Sequence, residues 1–107
     1  MQTDNKTLVD CIDKCFALSV NPKVPIDQQA AFQNRGFELR SRLVTLLHAT
    51  FAEGTQEVND ANAKIAEVNR KLKDAVDDLQ KIADTVAAVG NLVSIRDDLF
   101  KLPFAFM

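Results

Sequence analysis

The chain of 107 residues has no tryptophan and no tyrosine, three glycines, three prolines, two cysteines and a single histidine. Each scarcity closes off something. With so little glycine and proline, and nowhere the strict apolar–polar alternation of a half-buried strand, a sheet protein is excluded and an all-helical one remains. With His48 alone, a Ser-His-Asp or Cys-His arrangement would have to be built around that one residue. There is no phosphate-cradling glycine loop, no Gly-x-Ser-x-Gly, no His-Glu-x-x-His and no Glu-x-x-His. The expectation is a non-enzymatic protein without a cofactor. His48, between Leu47 and Phe51, reads as a helix-side histidine at the edge of the core.

A dominant charge is also lacking. Thirteen basic and 15 acidic residues leave a net charge of -2, interspersed along the chain, so no broad positive field awaits nucleic acid. Arg35, Arg40 and Arg42 form the one local basic cluster, and the acidic balance argues against a nucleic-acid partner. No stretch reaches the ~20 apolar residues of a membrane span. Asp10, Asp13 and Lys14 interrupt the opening apolar run, which therefore does not resemble a secretory signal. The chain reads as cytoplasmic, and the Asn5-Lys6-Thr7 sequon as unused. Association with a membrane surface stays open.

What is present is a folded-domain composition, 47% hydrophobic and 26% charged. Below roughly 150 residues one core is thin, so a long helix seam or a second subunit is expected to supplement it. Cys11 and Cys15 lie four apart and share a helix face. They read as small core residues; a metal or redox site there is the weaker reading, because two more ligands would be needed.

The predicted elements are an antiparallel bundle of three helices, or four, in a single domain. The first helix spans about 4 to 20, capped by Asp4 or Asn5 and burying Leu8, Ile12, Cys15, Phe16 and Ser19. After Pro25, a second spans about 26 to 53, with Ile26, Ala30, Phe37, Val44, Leu47 and Phe51 on one stripe, widened by Leu39, Leu43 and Leu46. Gly36 inside it marks a break or a close helix approach. A long third helix spans about 55 to 102. Its seam is Val58, Ala61, Ile65, Val68, Leu72, Ala75, Leu79, Ile82, Val86, Val89 and Val93, a coiled-coil register. Acid-to-base pairs at i,i+4 (Asp60–Lys64, Glu67–Lys71, Asp77–Lys81, Asp97–Lys101) coat its outside. Gly54-Thr55 predicts a hairpin turn, against the alternative that one helix continues through it, since the seven-residue spacing runs on in phase.

From Val86 to Ile95 the charges stop. Beyond Val93 the next seam position is Arg96, a poor core residue, so the register is expected to step to Leu92, Ile95, Leu99 and Leu102, with a stammer and a kink at Gly90. A helix with two apolar stripes touches two things. The candidate interface is accordingly Val86, Val89, Leu92, Val93, Ile95, Leu99, Phe100 and Leu102, with Phe104 and Phe106 from the apolar tail at 103–107. Three functions are expected of such a chain. The first is a helical interaction protein that self-associates, as a homodimer, or docks a partner helix through the 58–102 seam. The second is a membrane-associating, toxin-component-like bundle that uses the 86–106 tip. The third is a small metal or redox binder at Cys11 and Cys15.

Overall fold

In the computed structural model, described at residues 3–46, 49–51, 55–99, 101 and 104–106, the protein is an all-α bundle of four helices. Helix α1 is Asn5–Ser19. Its N-cap is Asp4, whose carboxylate accepts the Thr7 amide at 3.1 Å and the Thr7 hydroxyl at 2.8 Å, pairing a donor the first turn cannot use internally. Leu8, Cys11, Ile12, Cys15 and Leu18 face inward, while Phe16 and Ser19 are half-buried. Helix α2, Ile26–Leu46, starts directly after Pro25, as the missing proline N–H favours.

The predicted continuation of α2 to residue 53 is replaced by a three-residue strand, β1, Ala49–Phe51. Its antiparallel partner is β2, Phe104–Phe106, in the predicted tail. The chain therefore does not run on as one helix, and Gly54 lies outside the described residues. Helix α3 is Thr55–Asp77, and α4 is Ile82–Leu99 after a single 3-10 turn at Leu79–Lys81. The expected 55–102 helix is thus two helices, broken at Asp78 rather than kinked at Gly90. The Asp78 carboxylate accepts the Gln80 amide at 3.0 Å, and its carbonyl accepts the Lys81 amide at 3.1 Å. Aspartate offers the backbone this local alternative to helix without any glycine or proline.

The break decides the topology. Neighbouring pairs are α1–α2, α1–α3, α3–α4 and α2–α4, so α2 and α3 sit across a diagonal rather than forming the expected hairpin. Within the first pair Asn5 Nδ2 donates to the Leu46 carbonyl at 3.3 Å, which makes α1 and α2 antiparallel. Parallel packing of α1 on α3 follows from Asp4 N–H to Asn62 Oδ1 (2.6 Å), the Cys11 thiol to the Ile65 carbonyl (3.6 Å) and Lys14 Nζ to Asn69 Oδ1 (2.9 Å). Both chain halves thus enter and leave one end of a 43 × 20 × 19 Å body, where the β1–β2 ribbon sits.

The α3 seam is core as predicted: Val58, Ala61, Ile65, Val68, Leu72 and Ala75 are all fully buried. On α4 the interior residues are Ile82, Thr85, Val89, Leu92, Arg96 and Leu99, with Ala88 and Val93 beside them. Their spacing alternates three and four without a stammer, and the register step expected near Gly90 does not occur. It passes through Arg96, the residue that sequence reasoning steps around.

On α2 the two apolar stripes exchange roles. Phe32, Gly36, Leu39 and Leu46 are buried, while Ile26 (83% exposed), Phe37 (51%) and Val44 (65%) lie outside. Gly36 accommodates the exchange. A Cβ there would stand 3.0 Å from Phe16 Cε1, so its absence lets the Phe16 ring press against the helix. Phe16 then meets Phe37 edge-on from outside, centroids 5.2 Å apart at 67°.

Candidate functional site

Where α2 and α4 run side by side, a groove of about 750 Å³ opens between them. Gln28, Arg35, Glu38 and Arg42 form its α2 wall; the α4 wall is Ala83, Val86, Ala87, Gly90, Asn91, Val93, Ser94 and Asp97. The uncharged run is therefore a groove floor on one side and core on the other. Among its residues Ala83, Ala87, Gly90 and Ser94 are spaced four, three and four apart, a heptad stripe of small side chains. Ala83, Ala87 and Ser94 are exposed.

Two ion pairs stiffen the rim. Arg42 grips Asp97 with a two-toothed fork, Nε to Oδ1 at 2.8 Å and Nη2 to Oδ2 at 3.1 Å, and its Nη1 donates to the Glu38 carbonyl at 3.4 Å. Arg35 Nη1 donates to both Glu38 oxygens at 2.9 Å, and Arg35 Nε lies 3.4 Å from where a Gly90 Cβ would be. Asp97 was expected to pair with Lys101; instead Lys101 reaches Asp98, at 3.2 Å. Of the other expected i,i+4 pairs, Glu67–Lys71 is present at 3.6 Å.

The Arg42 hydrogen bond and charge hold Asp97 below the usual carboxylate range. A depressed acid contributes stability above its unfolded pKa, and this is lost as the pH falls through the folded one. Asp97→Asn should therefore lower the unfolding free energy from urea titration equally at pH 7 and pH 5, by under about 1 kcal/mol because the pair is half exposed, and the difference should shrink as the pH falls below the ordinary carboxylate range. A difference that grew on acidification would contradict this assignment.

The ten interface candidates divide sharply. Val89, Leu92, Val93 and Leu99 are buried in the chain's own core; Val86 and Ile95 are half-buried against it. Ile95 and Leu99 also edge a smaller cleft of about 230 Å³ with Glu57, Asp60 and Asp98. Phe100 and Leu102 lie outside the described residues, as do the side chains of Phe104 and Phe106, and His48. Four of the residues expected to form a lipid-facing tip are thus interior. Among the described residues no helix is long and apolar enough to cross a membrane.

Cys11 and Cys15 are buried, and burial pushes both thiols up to about 12, so they are protonated at neutral pH. No group of three or more metal-ligating side chains occurs among the described residues.

Arg96 is the residue that pattern reading missed. It is fully buried, and among the described residues Nε and both Nη atoms have no hydrogen-bond partner. Burial lowers its pKa to about 10, which leaves it charged at neutral pH.

Compared with protein-family models, curated proteins and solved structures, the chain matches none.

Proposed function

We propose that the protein is a non-enzymatic helical interaction module that pairs with a second copy of itself through the α4 wall of the α2–α4 groove. The carrying observation is the small-residue stripe Ala83, Ala87, Gly90 and Ser94, whose flanking charges are paired within the chain as Arg42–Asp97 and Arg35–Glu38. About a two-fold axis between Ala87 and Gly90, an antiparallel copy sets Ala83 against Ser94 and Ala87 against Gly90, small on small along the whole contact. Helix axes approach most closely where the facing side chains are small. In a two-fold contact the same patch faces itself, and a patch whose flanking charges are already paired avoids the repulsion that a single-sign cluster would meet. The α3 seam is covered by the chain's own helices, so pairing through it is unavailable, and the α4 shoulder is favoured because its small side chains let a second helix approach.

Sedimentation velocity over a concentration series tests the reading. The native chain should move from monomer toward dimer. Ala87→Glu, at an exposed position, should leave the fold intact and abolish the shift. Gly90→Ala should separate two effects: about 1 kcal/mol of added helix stability together with weaker association, since each Cβ pushes the axes apart. A native chain that stays monomeric at millimolar concentration, or an Ala87→Glu chain that still dimerises, would refute it.

A further inference from the structure

Among the described residues the core forms two clusters. Leu8, Cys11, Leu39, Ile65 and Leu92 belong to the larger; Leu46, Phe51, Val58, Ala61 and Leu99 make the smaller, next to the ribbon end. Arg96 stands on α4 between Leu92 and Leu99, at the level where the clusters part, with Cys11 as the group its charge couples to. Cys11, on α1, is small and fully buried.

A guanidinium presents five N–H donors in a planar fork, and a buried charge that meets no acceptor carries a penalty of several kcal/mol. The thiol of Cys11 does not relieve it, because its own hydrogen goes to the Ile65 carbonyl and its pKa stays high. All three guanidinium nitrogens, at full burial, have no hydrogen-bond partner among the described residues.

We propose that Arg96 is an interior binding site for a small planar oxyanion of the carboxylate class, held at the junction of the two core clusters. The planar fork selects a planar two-oxygen group over a spherical ion, and the apolar surroundings strengthen the contact.

Thermal unfolding of the full chain in sodium formate, exchanged for sodium chloride at constant ionic strength, provides the test. The native midpoint should climb by about 5 °C or more as formate replaces chloride, while Arg96→Met stays flat. Arg96→Lys, which keeps the charge and loses the fork, should lose most of the response. An NMR titration of the native chain with formate gives an independent reading: one arginine Nε–Hε resonance should shift and become protected from exchange. Equal slopes in the native and Arg96→Met chains, no formate response, or an unmoved arginine resonance would each overturn the proposal.

Discussion

Arg96→Met should unfold at a higher temperature than the native chain, by roughly 10–20 °C in buffer free of carboxylates, corresponding to about 2–4 kcal/mol. Few substitutions in a fully packed interior are expected to stabilise. This one removes an uncompensated charge and keeps an unbranched side chain that can follow much of the same path between Leu92 and Leu99. Methionine adapts to irregular space, so the packing cost is small beside the desolvation relieved. Differential scanning calorimetry measures it directly. A midpoint at or below native would mean that the guanidinium is already satisfied in the free protein, and the interior anion site would fall with it.

Leu99→Asp should have an effect of opposite sign and similar scale. Leu99 is 2% exposed and packs with Leu46, Phe51, Val58 and Ala61, where the ends of α2, α3 and α4 meet. A carboxylate there is cut off from water and replaces an apolar contact of the smaller cluster; Arg96, one turn away on the same face, offsets part of its desolvation, and a loss of about 3 kcal/mol or more is expected, a large share of the stability of a domain this small. Leu99→Ala, which leaves only a cavity, should cost about 2–4 kcal/mol and remain measurable. Circular dichroism with urea titration separates the cases. A folded Leu99→Asp chain that had lost only association would move this residue from the core to a docking surface.

The two variants bracket what was legible in the pattern. Leu99 could be assigned to an apolar stripe from its neighbours alone. Arg96 could not be placed inside, because stripe reading treats a charged residue as the end of a seam. The heptad in fact continues through it as Thr85, Val89, Leu92, Arg96 and Leu99, and following the spacing rather than the polarity would have found it. The Asp78 break was hidden for a related reason. Aspartate adjacent to aspartate reads as a solvated face, and nothing in the apolar spacing from Ala75 to Ile82 announces that the helix stops between them.

The α2 faces show the limit most clearly. Phe37 and Val44 lie seven apart and in phase with Phe51, which made theirs the favoured core stripe, yet the buried face carries Phe32, Leu39 and Leu46. Both stripes are apolar enough to be buried. The choice between them came from which helices flank α2, and that in turn depended on the chain reversing at Asp78 so that α4 could lie alongside.

By itself the sequence determined the helical class, a cap at the Asp4–Asn5 step, the start of α2 after Pro25, most of the inward face of α1 and the buried register of α3, because each follows from local backbone chemistry or from an unbroken apolar period. Tertiary structure alone decided the four-helix order, the exposed stripe of α2, the groove beneath the uncharged run and the burial of Arg96. Those outcomes depend on which faces meet at long range. A periodic pattern says that a face must be covered, but packing decides which neighbour covers it and which polar group is enclosed with it.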